Sequence, residues 1–146
     1  MNSLSLEMLA LIIGGVCLAL LCLLIIAIRI PKRLKSDYFV SCWKDLQLHC
    51  KDKKTWPQAL QEADKLLDKA LKKRKFKGKT MGERMVSAQK TFTDNDAAWF
   101  AHNIKKKLLA DPNFKLRESD VKDALVGFRQ ALRDLGALPD GKTRDS

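Results

Sequence analysis

The stretch that decides the fold is Thr55–Lys79, TWPQALQEADKLLDKALKKRKFKGK. Trp56, Ala59, Leu60, Ala63, Leu66, Leu67, Ala70 and Leu71 recur at intervals of three and four, which gathers them on one face of a helix. Thr55-Trp-Pro-Gln58 has the form of a capping box, and Pro57 falls in the first turn, where its missing N–H is tolerated. Gly78 is expected to close the segment. After Ile30 no stretch alternates apolar and polar residues as a strand would, so this helix must find its partners among other helices.

Those partners are readable on both sides. Downstream, Thr80 and Glu83 form a second capping box for a short helix offering Met81, Met85, Val86 and Phe92 for burial. Asp94, Asn95 or Asp96 can cap a third, carrying Trp99, Phe100, Ile104, Leu108 and Leu109 before Asp111-Pro112-Asn113 stops it. Ser119 is the expected cap of a fourth, with Val121, Leu125, Phe128, Leu132 and Leu135, and Gly136 suits its C-terminal cap. Upstream, residues 36–50 suit a helix with Phe39, Trp43, Leu46 and Cys50 on one face. The expectation is an all-α chain: an N-terminal transmembrane helix followed by a small four- to five-helix bundle.

The membrane segment is the other firm reading. Leu9 to Ile28 is LALIIGGVCLALLCLLIIAI, twenty residues without charge, amide or proline. At ~1.5 Å per residue it spans the ~30 Å hydrocarbon core of a bilayer. A cleaved signal would need a basic n-region, a shorter apolar run and a small-residue cleavage site; none is present, which argues for an uncleaved anchor. All 28 Lys and Arg but only 16 of the 17 Asp and Glu lie from Arg29 onward, leaving that part at +12. Arg29, Lys32, Arg33 and Lys35 crowd the C-terminal flank, whereas Glu7 is the sole charged side chain before it. The positive-inside tendency then places the N-terminus outside and the remainder in the cytoplasm, at the inner membrane. Gly15 and Ala19 make a small-xxx-small pair on which two anchors can pack as a homodimer, although small residues are common in such helices without one. The expected domains are a short N-terminus (1–8), the anchor (9–30), a juxtamembrane basic segment and helix (31–54), the bundle (55–138) and a disordered tail (139–146).

The densest charge feature is the run from Lys69 to Lys79, with Lys69, Lys72, Lys73, Arg74, Lys75, Lys77 and Lys79 and no acid. Cations at a helix C-terminus are favoured by its dipole, but seven exceed what that account needs, and their mutual repulsion costs stability unless an anion is nearby; a solvated basic face of no specific function is the alternative. Lys105, Lys106 and Lys107 form a second cluster. Anionic lipid headgroups, nucleic acid or an acidic protein are the expected partners, with lipid favoured because the chain is tethered to a leaflet; one aromatic, Phe76, falls short of a base-stacking platform. His102 has no Ser, Cys or Asp partner at helical spacing. Trp43, Trp56 and Trp99 read as core, and Asp64 and Asp68, ringed by Lys65, Lys69 and Lys72, as surface pairing. Cys17 and Cys22 lie at lipid depth, Cys42 and Cys50 lack a CxxC or clustered histidines, and neither a disulfide framework, a metal site nor a cofactor is indicated. No phosphate loop, nucleophile elbow or HExxH motif is present.

TWPQALQEADKLLDKAL, TMGERM, WFAHNIKKKLLADPNFKL and DALVGFRQALRDLGAL together resemble a family of small bacterial helical domains of unassigned role, many of which follow an N-terminal anchor. The similarity covers about residues 55–138. That family's W-x-AH-x-x-RN-x-x-x-H segment is in turn similar to HEPN domains, four-helix bundles in which an Arg and a His form a ribonuclease site, usually across a dimer. The resemblance implies a His that moves a proton of the RNA 2′-hydroxyl and an Arg that steadies the phosphate. Here Trp99, Ala101 and His102 match, but Lys105 stands at the Arg position, Lys106 at the Asn position and Ala110 at the final His. Lysine lacks the bidentate fork, and alanine transfers no proton. The expectation is therefore a membrane-anchored interaction module without catalysis. The alternatives are a HEPN-like RNA-binding protein or ribonuclease, and a structural subunit of a membrane complex.

Overall fold

The structure, a computed structural model, describes residues 2–29 and 34–140. Among them are six α-helices and no strand: α1 (Asn2–Arg29), α2 (Ser36–Leu48), α3 (Trp56–Lys73), α4 (Met81–Ala88), α5 (Asn95–Ala110) and α6 (Glu118–Asp134). The chain divides into two compact units, 1–31 and 32–146. The first is α1, which begins well before the apolar run. It is long and apolar enough to cross a membrane from Ser5 to Ile28, and each of its large apolar side chains in that span is at least 45% exposed. Pro31, Lys32, Arg33 and the tail 141–146 lie outside the described residues.

In the second unit α3 is the hub. It packs against α2, α4, α5 and α6, so its apolar stripe is covered on several sides, with Leu60, Leu67 and Leu71 fully buried. Around it α2 brings Phe39, Trp43 and Leu46, and α6 brings Phe128 and Leu132. The most extensive helix pair is α5 with α6. Its closeness depends on a missing side chain, because a Cβ on Gly127 would sit 2.4 Å from the carbonyl oxygen of Ala97 and 3.4 Å from the Cβ of Ala101. That approach selects small residues for the inner face of α5, namely Ala98 and Ala101 beside His102 and Ile104.

Several local expectations are corrected. Val86, Phe100 and Leu109 are 53%, 39% and 59% exposed: α4 packs mainly on α3 and buries Arg84, Met85 and Ala88, while the close α5–α6 contact turns the bulky side chains of α5 outward. The Thr55–Gln58 box does not form. A 3₁₀ turn, Lys53–Thr55, precedes α3, the Thr55 hydroxyl is directed at the carbonyls of His49 and Asp52, and Gln58 reaches Glu62. Gly78 does not close α3. The helix ends at Lys73, and Lys75, at φ +61°, takes the left-handed position of a Schellman motif in which the Lys75 and Phe76 N–H groups bond to Lys72 O and Leu71 O. Ser119 is not a cap either. Asp120 accepts from the Arg117 N–H in the N-terminal turn of α6. Thr80, Asp94 and Gly136 act as expected: Thr80 Oγ1 accepts from Glu83 N, Asp94 from Ala97 N, and Gly136, at φ +77°, completes a second Schellman motif with Ala137 N on Leu132 O.

Gly127→Ala is expected to destabilise the bundle by at least about 2 kcal/mol, because backbone rather than a flexible side chain must give way. Urea unfolding of the variant beside the parent tests this, and an unchanged midpoint would show that α5 and α6 separate without strain.

Candidate functional site

The basic run is shaped by α4. Ser87 Oγ donates to Lys77 O at 2.6 Å, Arg84 Nη1 donates to Gly78 O at 2.8 Å, and Glu83 Oε2 accepts from Lys79 N at 2.6 Å. Three side chains of α4 thus hold two consecutive peptide groups of the loop, 77–78 and 78–79. Gly78, at φ +154°, has no room for a Cβ, which would meet Arg84 N at 2.6 Å. Phe76 packs against the core from the other side. Held by its backbone, the loop exposes the side chains of Lys75, Lys77 and Lys79.

The rest of the run is partly engaged. Lys72 Nζ lies 2.7 Å from Asp68 Oδ2, and buried Arg84 reaches Asp68 Oδ1 at 2.6 Å. Lys69 Nζ donates to Tyr38 Oη at 2.7 Å and sits 4.1 Å from the ring centroid, while Lys73 Nζ approaches the Tyr38 and Phe39 rings at 5.7 and 5.9 Å. Arg74 is half-buried. Tyr38 is in the first turn of α2, so this cluster occupies the end of the bundle at which α2 begins. Lys35, exposed, immediately precedes it.

The second cluster is elsewhere. Gly82, just past the end of α3, lies under Trp99, whereas Leu108 shares a cavity with Trp56 and Pro57 at the start of α3. Helix α5 therefore runs antiparallel to α3, and Lys105 sits beside Asp64, about 14 Å along α3 from Lys73. The two clusters are centred at different levels along α3. The second is not free: Lys105 Nζ is 2.8 Å from Asp64 Oδ2, and Lys107 acts electrostatically on Asp120. Lys106 and Lys107 are exposed.

Asp64 corrects the expectation of surface pairing most sharply. It is 3% exposed, with His102 Nδ1 2.8 Å from Oδ1 and Lys105 on Oδ2. A carboxylate only accepts, so His102 carries its proton on Nδ1. The His102 ring is 7% exposed and meets Trp99 edge to face at 6.0 Å. Its missing acid partner is supplied by another helix rather than by its own. The sequence signal was the register: Asp64 is one turn past Leu60 and falls inside the buried stripe. Asp68, at the stripe's edge, is pushed up by partial burial, but the hydrogen bonds and charges of Lys72 and Arg84 outweigh this and its carboxyl lies below the usual range. The Arg117 guanidinium holds Asp120 down in the same way. Among the described residues no group of three or more His, Cys, Asp or Glu is placed to hold a metal ion. Comparisons with family models, with curated proteins and with solved structures give no match.

Two outcomes follow from these carboxylates. Asp64→Ala leaves the His102 ring and the Lys105 ammonium without their acceptor and is expected to cost about 3–5 kcal/mol in chemical denaturation; a loss below 1 kcal/mol would mean that both side chains rotate out to water. The folded pKa values of Asp68 and Asp120 lie below their unfolded ones, so their contribution is complete above the unfolded values and is lost as pH falls through the folded ones. Unfolding midpoints measured between about pH 5 and pH 2 should therefore drop less steeply in Asp68→Asn/Asp120→Asn.

Proposed function

We propose that this protein is a single-pass, membrane-anchored helical module whose basic end binds the anionic headgroups of the leaflet into which it is tethered. The α1 segment is the anchor, with the N-terminus outside and the bundle on the cytoplasmic side of the inner membrane. The observation that carries this reading is the seating of Lys69 and Lys73 on Tyr38. It puts the basic run of α3 at the end of the bundle where the chain arrives from α1. Residues 30–35 bridge α1 and α2, about 20 Å of chain even when extended. In this reading Lys73, Lys75, Lys77 and Lys79 meet the headgroups, where each cation contributes about 1 kcal/mol, and Tyr38 is of the aromatic type enriched at membrane–water interfaces. Exposed lysines on a loop fixed through its peptide groups suit a fluid, multivalent anionic surface, which needs charge density rather than a shaped pocket.

The reading is tested with the full chain in nanodiscs, by hydrogen exchange over residues 69–79. Protection is expected in phosphatidylglycerol discs at about 50 mM salt, and not in phosphatidylcholine discs or at about 0.5 M salt. Lys75→Gln/Lys77→Gln/Lys79→Gln should abolish it. Equal exchange in both lipids would end the lipid reading; protection by added RNA alone would replace it with the RNA-binding one. A mature polypeptide beginning after Ile30 would remove the anchor itself.

A further inference from the structure

A cavity of about 290 Å³ lies between α2 and α6, on neither lysine cluster. Trp43, Lys44 and Gln47 line it from α2, Arg129 and Arg133 from α6, and Leu138 closes an apolar wall. Two observations single it out. The Trp43 indole is 7% exposed, yet its Nε1–H is buried without an acceptor among the protein atoms, and the same is true of Arg133 Nε. An unpaired buried donor is rare in a native fold and costs about 1–3 kcal/mol; here two such donors line one cavity. The lining also holds three cations and no carboxylate, and neither Lys44, Arg129 nor Arg133 forms an ion pair with a described residue. Elsewhere in the bundle Arg84 has Asp68 and Lys105 has Asp64, whereas half-buried Arg74 also leaves its Nε without an acceptor, though with no second unpaired donor described beside it.

Water would satisfy the two N–H groups, but it offsets none of the three positive charges that line the cavity. A carboxylate offsets one charge. A phosphate monoester brings about −1.5 to −2 and three acceptor oxygens, enough for the indole and for Arg129 and Arg133, which are one helical turn apart on α6. Guanidinium forks match phosphate oxygens bidentately. The apolar wall and the volume, at the low end of ligand pockets, leave room for a short organic body and not for a polynucleotide. We propose that this cavity binds the phosphate end of a small organic phosphate, with Trp43 Nε1, Arg129 and Arg133 as its donors and Lys44 at the rim. The phosphate can be free or can belong to a lipid headgroup.

The experiment uses the full chain in neutral detergent micelles, with Trp56→Phe and Trp99→Phe leaving Trp43 the sole indole. The probes are inorganic phosphate, glycerol 3-phosphate, and acetate at matched ionic strength, read by the ¹⁵N–¹H resonance of the indole. A saturable shift with glycerol 3-phosphate, half-complete in or below the millimolar range and absent with acetate, supports a free organic phosphate. A shift seen only in phosphatidylglycerol nanodiscs, and not in phosphatidylcholine ones, assigns the site to a headgroup. Arg133→Gln is expected to weaken either response at least tenfold. Lys44→Gln, at an exposed side chain, should weaken it severalfold without disturbing the fold, and Lys106→Gln should leave it unchanged. No saturable shift with any phosphate probe, an equal shift with acetate, or a response undiminished in both Arg133→Gln and Lys44→Gln would overturn the proposal.

Discussion

A carboxylate in the middle of a buried apolar stripe is the constraint on which this bundle turns. Helix α3 touches four other helices, and Asp64 lies on its covered face at 3% exposure. An ionised carboxylate is held there only with its charge and lone pairs matched. Both partners come from α5, three residues apart, His102 on one oxygen and Lys105 on the other. That pairing sets which face of α5 turns inward. The same face carries Ala98 and Ala101, and their small size lets α6 close on α5 at Gly127. One polar contact therefore orients the helix on which the tightest packing of the domain is built.

A second, more exposed arrangement handles the opposite problem of too much charge of one sign. Seven cations within eleven residues repel one another. Their repulsion is offset inside the fold by Asp68, which takes Lys72 and Arg84, and by the Tyr38 and Phe39 rings, which lie under Lys69 and Lys73. The loop that follows is held by α4 through its peptide groups, not through its lysines. Charge is thus presented to solvent on a backbone with little freedom to retract it, the property that the membrane-surface reading uses.

Legibility in the sequence divides along local and non-local physics. The helices were readable because three-and-four spacing is a property of a helix with itself, and Thr80, Asp94 and Gly136 were readable because a cap is satisfied within a few residues. Thr55 shows the limit. Its pattern was right, but a neighbouring turn offered the carbonyls of His49 and Asp52, and the hydroxyl went there. Lys75 shows another: a non-glycine residue accepts the left-handed position when the Phe76 side chain that follows is drawn into the core. Phe100 and Leu109 looked like core by type and were displaced by a close helix crossing that no spacing rule encodes.

What the sequence alone determined is the class and the partition: one apolar helix long enough for a bilayer, then an all-helical basic domain, both consequences of hydropathy and period summed over tens of residues. What only the tertiary structure decided is which charges meet. The sequence separates Asp64 from His102 by 38 residues, Tyr38 from Lys69 by 31, and Trp43 from Arg133 by still more. Their meeting depends on the order and rotation of packed helices. Coulombic and hydrogen-bonding energies act over a few ångströms of space, whatever the distance along the chain.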